Sequence, residues 1–479
     1  MKLFSSLFLI FLWCFSSQIH ALQGPKSASK THFHTVQLSS LLPASACTDP
    51  PTTKGLNKRE STLKVFHRHG PCFRQGKENS AATVPSLSEV FSDDQSRVDS
   101  IHVRLAPKSN TNRIDENKVD LPAKSGRTLG SGNYLVSIGL GTPARTLSLV
   151  FDTGSDLTWT QCQPCIRSCY QQQDPIFDPS KSSTYSNISC TSAKCSQLSS
   201  ATGNTPGCRS GSTCIYLIQY GDSSFSVGYF SSDKLTLSPT DVIPNFLFGC
   251  GQDNEGLFGG TSGIIGLGRD PLSLVSQTAP KYGKYFSYCL PSISSLTGHL
   301  SLGKSASSLK NVRFTPFASS QRGASFYFID IIAISVGGRQ LPIGQSVFKI
   351  AGTIIDSGTV ITRLPPAAYS VLSSTFKQAM SRYYPSAPAF SILDTCFDVS
   401  NSTAVTVPKV AFTFGGNVVV DLAPQGILIV AKPSVVCLAF AANNAATDVG
   451  IFGNTQQKTL EVVYDVAGGN LGFGPAGCS

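Results

Sequence analysis

The chain has 479 residues, of which 14% are charged and 41% hydrophobic, with 42 glycines; an average soluble domain carries ~25% charged residues. Extended disorder and coiled coil are excluded for most of it, and a large, turn-rich globular protein fits. The formal charge of +10 is uneven, since residues 22–128 hold 16 basic and 10 acidic side chains and residues 129–479 hold 21 and 18. The body therefore lacks the clustered basic face that neutralising phosphates demands, and no nucleic-acid partner is expected.

Lys2 is followed by an uncharged apolar stretch, residues 3–15. It is too short to cross a bilayer as a helix and suits the core of a secretory signal, with cleavage expected after Ala21. No later run has the length of a membrane span, and the C-terminal residues 472–479 lack the apolar tail of a lipid-anchor signal, so a soluble product without stable membrane association is expected. Residues 22–124 are richer in charge and hold His32, His34, His67, His69 and His102. Within them the spacing of Leu87, Val90, Phe91, Val98, Ile101 and Leu105 predicts an amphipathic helix opened by Ser86 or Ser88. From Leu129 the texture turns to β: runs at 134–140, 147–151, 229–237, 326–336 and 405–414 are separated by Gly, Pro, Asn and Ser turns. Gly139-Leu140-Gly141-Thr142-Pro143-Ala144 superficially matches a dinucleotide fingerprint, but Pro143 and the strand pattern after it predict a hairpin turn.

Of the 15 cysteines, Cys14 lies in the signal and Cys47 and Cys72 in the next segment, which leaves twelve in the body. Eight (Cys162, Cys165, Cys169, Cys190, Cys195, Cys208, Cys214, Cys250) precede its middle and four (Cys289, Cys396, Cys437, Cys478) follow it, so each group can pair internally, in up to six disulfides. Cys162-x-x-Cys165-x-x-x-Cys169 could be a zinc or redox site, but behind a signal peptide structural disulfides are the better reading; no metal and no cofactor is expected. Asn187-Ile188-Ser189 and Asn401-Ser402-Thr403 are candidate glycosylation sequons.

The chemistry lies in a weak internal repeat. Val150-Phe151-Asp152-Thr153-Gly154-Ser155 has a counterpart in Ile354-Ile355-Asp356-Ser357-Gly358-Thr359, and each copy is followed by an apolar pair and Gly, Ile264-Ile265-Gly266 and Ile451-Phe452-Gly453. Either motif alone is an ordinary turn. Twice, with hydrophobic lead-ins and matched downstream partners, they read as two lobes that each set one carboxylate on a tight turn. Two carboxylates within hydrogen-bonding distance share one proton over a broad acid range, so one is a base and the other an acid. Such a pair can activate a trapped water against a peptide carbonyl and later protonate the nitrogen.

At these residues the chain resembles the pepsin-like aspartic proteases, and among them the plant secreted, nepenthesin-like group, over roughly residues 125–479. Residues 63–72, Leu-Lys-Val-Phe-His-Arg-His-Gly-Pro-Cys, resemble that group's propeptide. The resemblance implies a mainly β, bilobal fold with the cleft between two pseudo-symmetric lobes. It divides the chain into a signal peptide (1–21), a propeptide (22–124), an N-terminal lobe (125–305) and a C-terminal lobe (306–479). It implies Asp152 and Asp356 as the dyad, Ser155 and Thr359 as donors to their outer oxygens, and Thr153 and Ser357 as the lock between the turns. Tyr220, Gly221 and Asp222 match the flap that closes over substrate, steadied by Trp159, and Ser223 stands where the group commonly has a second flap Gly. The absence of a saposin-like insertion points to the extracellular space (apoplast), with the vacuole as second choice. A monomer is expected, acting on polypeptide substrates at acid pH and held by its own propeptide as intramolecular inhibitor. The alternative is a silent pepsin-fold protein that binds and inhibits glycanases. A serine or cysteine hydrolase would have to use His299, the one histidine of the expected mature chain, and lacks a Gly-x-Ser-x-Gly elbow.

Overall fold

The apolar runs of the chain are short, β-branched and broken by turns, and among the described residues they pair into sheets of 15, five, four, four and two strands. The computed structural model describes residues 32–42, 44–48, 61–74, 85–106, 134–209, 211–220, 224–256, 258–304, 311–319, 323–475 and 478. The expected signal and its cleavage site, and flap residues Gly221 and Asp222, lie outside these. Phe33–Ser479 forms one compact unit, and among the described residues no helix is long and apolar enough to cross a membrane.

The segment expected as a propeptide is built into the body. Phe33–Gln37 pairs antiparallel with Ala404–Pro408. Strand β1 (Ser61–His67) lies in the 15-stranded sheet between Gly298–Leu302 and β2 (Tyr134–Leu140), antiparallel to both. Its alternation explains the insertion: Ser61, Leu63 and Val65 are buried while Lys64 is exposed, and Leu63 and Val65 join the main core beside Val136 and Leu300. Cys47–Cys72 bridges the segment internally, a pair outside the body's dozen. Helix α1 (Leu87–Leu105) runs where the apolar spacing predicts. Ser86 opens it, accepting from the Glu89 amide at 3.3 Å while the Glu89 carboxylate accepts from the Ser86 amide at 2.6 Å, a reciprocal capping box.

In the body, β2 and β3 (Arg145–Asp152) form an antiparallel hairpin with Leu140 opposite Arg145. The dinucleotide-like stretch is thus a turn, and Gly141 takes a φ of +89° in it, where a side chain would be strained. The large sheet carries both halves of the chain, because Tyr285–Cys289 pairs with Glu461–Asp465, which pairs in turn with Asn470–Gly474. The twelve body cysteines form six bridges: Cys162–Cys250, Cys165–Cys169, Cys190–Cys208, Cys195–Cys214, Cys289–Cys478 and Cys396–Cys437. All stay within the two groups that the sequence separates.

Cys289–Cys478 spans 189 residues and Cys165–Cys169 only four. On chain-entropy grounds the long loop is worth about 5 kcal/mol and the short one about 2. Calorimetry of the two Cys→Ser pairs is expected to show a clearly larger drop in melting temperature for Cys289/Cys478; equal drops would mean that native-state packing sets both effects.

Candidate active site

Each motif carboxylate ends a strand gripped by its own downstream partner. Strand β3 runs parallel to β4 (Gly263–Gly266), with Gly266 opposite Asp152, and β4 is antiparallel to Trp159–Gln161. The second copy repeats the pattern: β5 (Thr353–Ile355) runs parallel to β7 (Gly450–Phe452), which meets β6 (Thr362–Leu364) antiparallel at Arg363 and Ile451. The matched apolar pairs are therefore the strands that fix the two aspartates. Backbone bonds close each turn, from the Leu267 amide to the Asp152 carbonyl at 2.8 Å and from the Asp356 amide to the Phe452 carbonyl at 3.1 Å.

Across the lobes the turns lock reciprocally. The Thr153 amide donates to Ser357 Oγ at 3.1 Å and the Ser357 amide to Thr153 Oγ1 at 2.9 Å. Gly154 and Gly358 each donate to Oδ1 of their own motif aspartate, at 3.0 and 3.1 Å. Turn conformation does not dictate these glycines, since neither has positive φ. Close approach does: a Cβ on Gly154 would lie 2.8 Å from Asp356 Oδ1, and one on Gly358 2.7 Å from Asp152 Oδ1. The hydroxyl pair is asymmetric. Thr359 Oγ1 donates to Asp356 Oδ2 at 2.5 Å, whereas Ser155 Oγ and Asp152 Oδ2 are both buried without a hydrogen-bond partner among the described residues.

The two carboxylates converge on one guanidinium from α1. Arg97 Nη2 lies 2.6 Å from Asp152 Oδ1 and 2.9 Å from Asp356 Oδ2, and its Nε donates to Asp356 Oδ2 at 3.0 Å. Burial would raise both carboxyls, and the charges divide them. At Asp152 the Arg97 charge and hydrogen bonds from the Gly154 amide and the Arg97 guanidinium outweigh burial and hold the carboxyl below its ordinary range. At Asp356 burial prevails over the pull of Arg97 and, with repulsion from Asp152, raises it. With Arg97 in place, Asp152 is the member held ionised.

Trp159 Nε1 donates to Tyr220 Oη at 2.9 Å, and both rings pack edge-on against Phe258, at 4.7 and 5.7 Å between centroids. His299 is engaged elsewhere, 2.8 Å from Glu461 Oε2. Asn187 and Asn401 are exposed.

Sequence reasoning passed over Arg97, Asp94 and Arg363. Asp94 accepts from the amides of Val360 and Ile361 at 2.5 and 3.2 Å and pairs with Arg363 at 3.0 Å. The signal was in the helix spacing, because Asp94 and Arg97 fall where the apolar stripe from Phe91 to Val98 and Ile101 should continue.

Two aspartate turns, locked at the junction of two β lobes, define an aspartic protease of the pepsin-like class. The family described as Xylanase inhibitor N-terminal matches residues 134–304, and that described as Xylanase inhibitor C-terminal matches residues 326–475. An aspartyl protease family protein of Arabidopsis thaliana is 56% identical over 94% of this chain and 94% of its own. Aspartic proteinase nepenthesin-2 of Nepenthes gracilis is 38% identical over 73% of this chain and 78% of its own. Among solved structures, soybean basic 7S globulin shares the fold with a TM-score of 0.57 at 21% identity, covering 72% of this chain and 91% of its own. The chain belongs to the aspartic protease family, in its plant nepenthesin-like group, and its enzymatic class is that of an aspartic-type peptide hydrolase.

Thr153→Val leaves the buried Ser357 amide unpaired, which costs about 1–3 kcal/mol. Denaturant titration is expected to show that loss, with Thr153→Val and Ser357→Ala combined costing less than the sum of the two. Full additivity would mean that the two bonds do not act as one lock.

Proposed function

We propose that the protein is made as the proenzyme of a secreted aspartic endopeptidase that hydrolyses polypeptides at acid pH, with Asp152 and Asp356 as its dyad. The convergence of both carboxylates on one guanidinium carries this reading, because a site that holds one cation between two aspartates can hold a water there once the cation leaves. The ionised carboxylate of the pair takes a proton from that water as the water oxygen bonds to the peptide carbonyl carbon. The protonated partner supports the oxyanion as it forms. The intermediate collapses as the C–N bond breaks and the nitrogen takes a proton from the dyad, which returns to one shared proton. Tyr220, held by Trp159, closes the site against solvent without transferring a proton.

The same geometry supports autoinhibition. Arg97 occupies the water position, Phe91 packs with Val360 and Ile361, and Val98, Ile101 and Leu105 pack with Phe326, Phe328, Ile354 and Ile451. These are body surfaces that a substrate would need. Exposed Asn187 and Asn401 and seven disulfides agree with passage through the secretory pathway to the apoplast.

Acidification weakens the docked segment at two groups. His67, on β1, accepts a hydrogen bond at Nδ1 from the His69 amide at 3.2 Å, and burial, then the charges of Lys458 and Arg68, push its imidazole down to about 3. A released His67 returns toward ~6.5. The released segment therefore binds a proton that the docked one refuses, and docking weakens by up to about 1.4 kcal/mol per pH unit between about 6.5 and 3. Asp152 acts in the same direction, its carboxyl rising once Arg97 is gone. Asp94 opposes them, because burial raises its docked carboxyl and docking so gains a proton.

Asp152→Asn and Asp356→Asn are each expected to lower turnover by about 10⁴-fold or more while leaving the fold intact, since one shared proton needs both carboxylates. Substantial activity in either folded variant removes the assignment. Purified precursor should stay full length at pH 7 and be cut between residues 121 and 130 near pH 3–4, a stretch outside the described residues. Arg97→Gln should shift that conversion upward by about one pH unit. Neutral-pH activity of the uncut wild-type precursor would contradict the inhibitory role.

A further inference from the structure

Arg363 belongs to the body, on β6, yet the one carboxylate paired with it among the described residues comes from α1. Its side chain is 1% exposed. Nη1 donates to the Ile361 carbonyl at 3.0 Å, Nη2 to Asp94 Oδ2 at 3.0 Å and to Gln95 Oε1 at 3.3 Å, and Nε is buried without a hydrogen-bond partner among the described residues. Two backbone amides complete the cradle: Val360 N donates to Asp94 Oδ1 at 2.5 Å and Ile361 N to Asp94 Oδ2 at 3.2 Å. Both Asp94 oxygens are satisfied by groups of the body, in the pattern of a built carboxylate site.

This site rests on the protease reading, in which α1 leaves. Departure of Asp94 strips a buried guanidinium of its counter-charge and two amides of their acceptor, a state a protein avoids by taking water or another anion. We infer that in the mature enzyme Arg363 and the amides of Val360 and Ile361 form a subsite for an acidic side chain of the polypeptide substrate. Asp94 stands three residues, about one helical turn or ~4.5 Å along the axis, from Arg97 at the dyad. An extended substrate advances ~3.3 Å per residue, so the acidic residue sits within about three residues of the scissile bond, on the side towards the start of α1. The cleft is otherwise apolar there, with Val360, Ile361, Ile429 and Ala441 in one cluster, which makes the charge selection specific to Arg363. The charged groups acting on Asp94 are Arg363 and Arg97; with α1 gone Arg363 remains.

The test compares peptides that differ only as Glu or Gln at each position flanking the cleaved bond, using the processed enzyme at about pH 5, where a substrate Glu is mostly ionised. The expected result is a kcat/KM about tenfold or more higher for Glu at one position, shrinking at about pH 3 as that Glu protonates, and a Glu/Gln ratio near one in Arg363→Gln. Arg363→Lys, which keeps the charge and loses the planar fork, should retain a reduced preference and decides the matter should Arg363→Gln fail to fold. A wild-type ratio near one at every position, or a preference undiminished in either folded variant, overturns the subsite while leaving the protease reading intact. Failure to cleave any peptide overturns that reading, and the subsite with it.

Discussion

The structure depends on holding two like-charged carboxylates together where water is scarce. Such a pair is stable only if the backbone fixes both groups and something offsets their repulsion. The backbone part is met by duplicated strand pairs and by the reciprocal Thr153–Ser357 bonds, which join the two turns directly. Repulsion is met by Arg97, which reaches both aspartates with one nitrogen. The large sheet that carries strands of both halves keeps this junction from sliding, because its register is fixed by buried residues on successive strands.

Helix α1 reads as a mould of the cleft. Its apolar residues fill apolar walls, and two of its polar residues lie where the body is charged: Arg97 against the dyad and Asp94 against Arg363. A segment that only blocked the cleft would need no buried Asp. Matching charge at two points fixes the helix in register along the groove.

Much of this was legible in the sequence, and the reasons for the remainder are physical. The Asp-hydroxyl-Gly repeat and its downstream Ile-Ile-Gly and Ile-Phe-Gly partners are local patterns, so the dyad and the strands that grip it could be read directly. Helix α1 was equally local, down to its Ser86 cap. What escaped depends on long-range pairing. Residues 61–67 show a strand-like alternation, but nothing nearby says that they insert between Tyr134–Leu140 and Gly298–Leu302. Arg363, as a lone charge in an apolar run, gives no hint of Asp94, because the two lie 269 residues apart. The demand for glycine at 154 and 358 is long-range too, because the crowding there comes from Arg97 of α1 and from the aspartate of the opposite lobe.

The central claim is that Asp152 and Asp356 form a working catalytic pair once the N-terminal segment is gone. The most direct measurement is cleavage of casein by acid-processed protein, its new N-terminus confirmed by sequencing, during titration with a statine-type peptide that mimics the tetrahedral intermediate. The account predicts cleavage in acid, little at neutral pH, and complete loss at one inhibitor per protein molecule. Processed protein that cleaves nothing in acid, or cleaves undiminished with the inhibitor in excess, would contradict it.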